Sequence, residues 1–165
     1  MIYLFYISAA IAVLATAIAV SRPHPVHALL YLIVSLLASA GVMLALGAPF
    51  AAALEVMVYA GAIMVLFVFV VMLLNLGPGG DEQERQWLAP RNWIGPGALA
   101  ALLLAQLVYS LASPNGVVDG QEVPLKTVGI ALYGPYLLAV ELASMLLLAG
   151  MVAAYHIARP MEKKA

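Results

Sequence analysis

The sequence predicts an all-α integral membrane protein of five transmembrane helices, with the N-terminus outside and the C-terminus in the cytoplasm. Three observations carry this prediction. Apolar residues make up 65% of the 165 residues, 9% are charged, and mean hydropathy is +1.06. A soluble chain of this length has no way to hide so much apolar surface. The apolar residues fall in five runs, each long enough to cross a hydrocarbon core of about 30 Å, where an unpaired backbone forces helix. The basic residues gather on one side of those runs.

The first run, residues 1–20, lacks the basic start of a signal peptide and is too long for one, so it reads as a retained span. It ends at Ser21-Arg22-Pro23-His24-Pro25, where two prolines remove backbone donors and disfavour helix. The second, 26–46, stops at the short turn Gly47-Ala48-Pro49. The third, 51–76, is AAALEVMVYAGAIMVLFVFVVMLLNL. In water its β-branched stretch Val65–Val71 would suit a strand, but in lipid helix wins. At 1.5 Å per residue it is about 39 Å long. The surplus accommodates tilt or one wider π-type turn, and length alone does not choose between them.

A polar stretch over 77–92 follows, with Pro78-Gly79-Gly80 as a breaker and the acidic run Asp81, Glu82 and Glu84 as a solvated loop. Trp87 and Trp93 flank the start of the fourth span, 93–111, as interfacial anchors do. Residues 113–134 read as a loop, and Val117-Val118 and Glu122-Val123 around Asp119-Gly120 fit a small hairpin. The fifth span, 135–158, starts at Pro135, a residue suited to a first helical turn. With no internal repeat and no large extramembrane segment, residues 1–165 form one membrane domain.

With five spans, the segments after the first, third and fifth lie on one side. They hold Arg22, Arg85, Arg91, Arg159, Lys163 and Lys164, whereas Lys126 lies opposite. That asymmetry places the C-terminus in the cytoplasm.

The net charge of −1 argues against nucleic acid, and the absence of cysteine excludes Cys-ligated iron–sulfur clusters and disulfides in this chain. No Gly-rich phosphate loop is present. Two acids lie inside spans, Glu55 and Glu141, each about one and a half turns from the outer end, where they are placed to share one polar layer. An intramembrane carboxylate costs roughly 2.5–3.5 kcal/mol at the bilayer centre and less near the interface. Two readings stand for each: a proton-relay or polar-network site, or an acid that tethers its helix end. Glu55 and Tyr59, four apart, share a helical face that Ile63 and Leu66 continue, with Ala60-Gly61-Ala62 as a place of close helix approach. Ser144, Ala143 and Gly150 give the fifth span a similar small-residue edge. No Lys or Arg lies within any span and only two carboxylates do, so a relay through this chain alone stops near the outer third. The chain reads as one wall of a path.

The segments HPVHALLYLIVSLLASAGVMLALGAPFAAALEVMVYAGAIMVLFVFVVMLLNLG and GPYLLAVELASMLLLAGMVAA closely resemble the J subunits of bacterial NADH:quinone oxidoreductase (respiratory complex I) and their mitochondrial counterpart, NADH dehydrogenase subunit 6. The resemblance covers nearly the whole chain, and VYAGAIMVLFVFVVMLLN carries most of its specificity. It implies a five-helix, multi-pass subunit of the bacterial inner (plasma) membrane, with a π-bulge in the third helix around Tyr59. It implies that quinone reduction is coupled to proton translocation through a polar path, with Glu55, Tyr59 and Gly61 in the bulge and Met64 and Phe67 one and two turns on; the second intramembrane acid, Glu141, joins that path on the reading of the residues given above. It implies no redox centre in this chain: FMN, iron–sulfur clusters and the NADH and ubiquinone sites belong to partner subunits. The direct neighbours implied are subunits A and K, with the quinone-site and antiporter-like subunits nearby.

Three other readings compete: the same subunit in a ferredoxin- or other donor-fed quinone oxidoreductase, a haem-binding anchor using His27 and His156, and a purely structural bundle. His24, His27 and His156 all fall near the cytoplasmic face and suit an interfacial role. The topology is open to direct measurement. A reporter fused after Ala165 is expected to register as cytoplasmic and one inserted in 115–121 as external. A cytoplasmic 115–121 loop would refute the five-span arrangement.

Overall fold

The computed structural model describes residues 2–23, 25–74, 90–112 and 123–158. The side chains of 74 and 90–92 are left aside. Five helices are long and apolar enough to cross a membrane. The contacts group into two units, Met1–Val123 and Pro124–Ala165.

In the first unit, α1 (Ile2–Ser21) and α2 (Pro25–Ala45) form an antiparallel pair. Proline occupies the first position of α2, where its missing N–H costs nothing. The buried face of α1 is Leu4, Ser8, Ile11, Ala15 and Ala19, a helical spacing that meets Val34 and Ala38 of α2. Lipid offers little hydrophobic drive between helices, so close approach and hydrogen bonds hold them together. Small side chains let the backbones come near. Thr16 donates to the Ala12 carbonyl (2.8 Å), Thr16 Oγ1 and Ser35 Oγ lie 2.6 Å apart, and Ser35 also reaches Ala12 O (3.1 Å). Nearer the start of α1, a Cβ on Gly41 would stand 2.7 Å from Ser8 Oγ.

The turn after α2 is a Schellman motif. Gly47 has φ 80°, and its N–H bonds Leu44 O (3.1 Å) while Ala48 N–H bonds Met43 O (3.0 Å). This closes the last turn and delivers Pro49 as the first residue of the third span. That span is continuous but not uniform: α3 (Pro49–Leu54), a π-helix (Glu55–Ile63) and α4 (Met64–Leu74). The fourth span, α5 (Pro90–Ala112), starts three residues earlier than the sequence suggests and carries Pro96 within it. Leu99, Ala100 and Leu103 of α5 pack on the α1–α2 core. The Tyr31 hydroxyl lies where a Cβ on Gly95 would be, and the Arg22 guanidinium sits 5.6 Å over the Tyr31 ring. The start of α5 therefore adjoins the start of α2, while at the other end Val123 N–H bonds Gly47 O (2.9 Å). The spans of this unit alternate as the sequence expects.

The second unit holds a correction. Residues 113–134 do not form one loop: α6 (Leu125–Leu132) follows Pro124, whose extended backbone (φ −67°, ψ 147°) caps it and whose carbonyl accepts from Thr127 N–H (2.9 Å). Eight residues with Gly129 and three β-branched positions are too short and too poor in helix formers to stand out in a hydropathy window. The fifth span, α7 (Leu137–Ala158), begins two residues later than expected. Tyr133–Tyr136 form a turn in which Tyr136 N–H still bonds Ala131 O (3.1 Å). The hairpin around Asp119-Gly120, the acidic run, Trp87, His24 and the basic tail fall outside the described residues.

The α1–α2 crossing predicts its own sensitivity. Gly41→Val places side-chain carbons onto Ser8 and is expected to cost about 1–3 kcal/mol, the usual range for overpacking. The check is the amount of chain retained in membranes and the thermal midpoint of the solubilised assembly, both of which should fall.

Candidate functional site

The backbone of the third span changes its hydrogen-bond step where its polar residues sit. Glu55 N–H, at the end of α3, bonds Ala51 O four residues back, whereas Met64 N–H bonds Tyr59 O five residues back. Each π turn takes in an extra residue, so the side chains beyond it are rotated relative to an unbroken α-helix. The burial pattern records this rotation. Ala52, Glu55, Ala60, Gly61, Met64, Val68 and Val71 are buried or half-buried, whereas Tyr59, Ile63, Leu66 and Phe67 are exposed. A regular helix would align 52, 55 or 56, 59, 63 and 66; here the aligned set moves by about one residue after Glu55.

The expected face Glu55–Tyr59–Ile63–Leu66 is thereby corrected. Glu55 lines up with Ala60, its i+5 neighbour, and both adjoin α2, which packs on the π-helix. Tyr59 points away from this packed face and is 52% exposed. The small-residue patch does serve close approach, through Ala60 at 8% exposure.

Gly61 has a local reason to be glycine. A Cβ there would lie 3.0 Å from the carbonyl oxygen of Val56, five residues back. That oxygen sits within the widened turn, so a side chain at 61 presses on the backbone feature that defines the segment.

Of the remaining site residues, Met64 is half-buried at the start of α4 and Phe67 is exposed a turn on. Glu55 forms no hydrogen bond or ion pair among the described residues. Glu141 lies on α7 in the second unit and is exposed, and neighbouring Ser144 donates to its own helix at Val140 O (2.9 Å). His27 lies in the first turn of α2, where it is engaged with another group, and His156 in the last turn of α7. No cluster of three or more His, Asp or Glu suited to a metal occurs among the described residues.

Sequence reasoning missed one polar pair. Gln106 Nε2 donates to Ser8 Oγ (2.7 Å), joining α5 to α1, and Ser8 is wholly buried. Gln106 is the one side-chain amide in its apolar run, which was the available signal. What the arrangement offers chemically is a π-helical segment carrying an acid on its packed side and a phenol on its open side.

Comparison with known proteins follows the same lines. Residues 15–157 match the family model of NADH-ubiquinone/plastoquinone oxidoreductase chain 6. NADH-quinone oxidoreductase subunit J of Pseudomonas aeruginosa is 61% identical over 164 residues, covering 98% of this chain and 99% of the relative. Subunit J of Escherichia coli K12 is 60% identical over 158 residues, covering 95% and 86%. Subunit J of Rhodobacter capsulatus is 35% identical, covering 93% and 79%.

Proposed function

The chain belongs to the NADH-ubiquinone/plastoquinone oxidoreductase chain 6 family, and from that premise we propose that it is the J-type membrane subunit of a bacterial NADH:quinone oxidoreductase that couples quinone reduction to proton translocation. The carrying observation is the π-helix over Glu55–Ile63, set in a chain 61% identical to a named subunit J along its whole length. The chain resides in the plasma membrane as a five-span domain, N-terminus outside. It contributes no redox centre: FMN, iron–sulfur clusters, NADH and quinone are handled by partner subunits. The A and K subunits are its direct neighbours and supply what Glu55, Glu141 and the exposed face of the third span lack among the described residues.

The mechanism rests on the two registers. In the π register Tyr59 faces outward, toward a neighbouring subunit, and Ala60 packs on α2. Reversion to an α register turns the residues beyond Glu55 back by about one position, bringing Tyr59 toward the packed side and changing what lines the path past Met64, Phe67 and the acids Glu55 and Glu141. Events at the quinone site that favour one register open or close the path, because two states a few kcal/mol apart shift readily with a partner's differential contacts. Tyr59 contributes a hydroxyl to hydrogen-bonded water and Gly61 the freedom to change step.

A donor other than NADH remains compatible with the same subunit, and the family assignment displaces the haem-anchor reading. Deleting the chain is expected to stop membrane-arm assembly and abolish quinone-dependent NADH oxidation. A normal pumping complex in the deletion strain would overturn the assignment.

The gate itself is tested by substitutions that spare assembly. Gly61→Val crowds Val56 O, and is expected to lower quinone reduction and proton pumping together. Tyr59→Phe keeps the ring, removes one hydroxyl and should have the smaller effect. Full turnover with a normal proton-to-electron ratio in assembled Gly61→Val enzyme would contradict the gate.

A further inference from the structure

We infer that a groove in the first unit, beside the π-helix, holds one acyl chain of a membrane phospholipid. The groove has a volume of about 670 Å³ and is walled by four spans, with Leu4 from α1, Leu37 and Leu44 from α2, Met57 from the π-helix and Leu104 from α5 among its lining. It contains no ionisable side chain. Gln106 is the polar member of the wall, and its amide is turned into the protein: Nε2 bonds Ser8, and Oε1 is enclosed without a partner. A polar headgroup or quinone ring therefore meets no hydrogen-bonding group in the groove.

Its depth argues for a lipid chain over a partner helix. The walls come from the ends of the helices on the side of the Gly47–Val123 contact. Leu37 lies eight residues from the end of α2, and Met57 eight residues after Pro49, each about 12 Å in at 1.5 Å per residue. The deepest lining residue, Ala100, is 12 residues from Ala112, about 18 Å, just past the middle of a 30 Å core. Beyond that depth Ala15 and Leu99, about 19 Å in and packed with the α1–α2 core, close the bundle. A transmembrane helix from another subunit would need a channel through both leaflets. A groove that ends at the midplane matches a molecule occupying one leaflet, and the medium around these apolar walls supplies such molecules. The topology assigns it to the outer leaflet.

The site lies outside the residues given roles in coupling, and its test does not depend on turnover. The intact assembly, purified and placed in nanodiscs, receives a phosphatidylethanolamine carrying a diazirine midway along one acyl chain. After irradiation, label is expected on peptides covering 37–44, 49–57 and 100–107. Ala53→Phe, which fills the groove from α3, should reduce label on those peptides at least threefold while total label on the assembly stays constant. Leu104→Trp fills it from the opposite wall and serves if the first variant does not accumulate. Label absent from these peptides, or unchanged in both variants, overturns the proposal. So does capture of a partner polypeptide by a benzophenone placed at Ala53, or stronger labelling of the same peptides by a polyprenyl quinone probe.

Discussion

Every backbone N–H and C=O that enters hydrocarbon must find its partner within the protein, and this rule shapes the molecule from end to end. It turns a β-branched run such as Val65–Val71 into helix, and it governs the exceptions. The Schellman turn at Gly47 and the extended Pro124 before α6 satisfy backbone groups where helices stop. The π-helix meets the rule in another way: it keeps the ladder complete and changes its step. That makes it admissible in lipid where an open break is not. A segment satisfying the same groups in either step can alter its side-chain display without exposing a polar backbone to hydrocarbon.

The consequence lies in what each face presents. An unbroken α-helix would bury Tyr59 against α2 and turn Ala60 out; the observed step does the reverse, with Ala60 at 8% exposure and Tyr59 at 52%. A small side chain on the packed side permits the close approach of α2, while a large amphipathic one is left exposed. The exposure of Glu55's neighbours follows from the same state of affairs. This chain is a fraction of a larger bundle, and much of its surface is interface.

Much of this was legible in the sequence. The five spans, the short turn at Gly47 and the proline-marked join between α1 and α2 are compositional features, and hydropathy locates each to within about three residues. The family follows from VYAGAIMVLFVFVVMLLN. The register of the third span did not follow from the residues themselves. Surplus length is equally consistent with tilt, and the i, i+4 rule that pairs Glu55 with Tyr59 presumes the step in question. Nor did α6, whose eight residues carry too little hydrophobicity to register. The Ser8–Gln106 bond was invisible for a different reason: 98 residues separate its partners, and nothing local announces which hydroxyl meets the amide. Within the site, Gly61 was legible as a small residue, but its specific obstacle, the Val56 carbonyl, exists only in the π step.

The two halves of the first unit differ in a way that bears on how it works. Toward the ends carrying Arg22 and Gly95, α1, α2 and α5 are tightly joined by Ile11, Ala15, Val34 and Ala38, by the Thr16–Ser35 hydroxyls and by Tyr31 against Gly95. Toward the Gly47 end the same helices stay joined through Ser8, Gly41 and Gln106 but leave a groove beside them, and the third span passes it with α3 and the first turn of the π-helix. Tightly packed interiors resist changes of even one methylene. Val56 and Met57, the residues just after the step changes, line the groove. Ala60, a turn further, leans on rigid α2. The π-helix therefore has a closely packed surface, α2, on one side and an open apolar groove on the other.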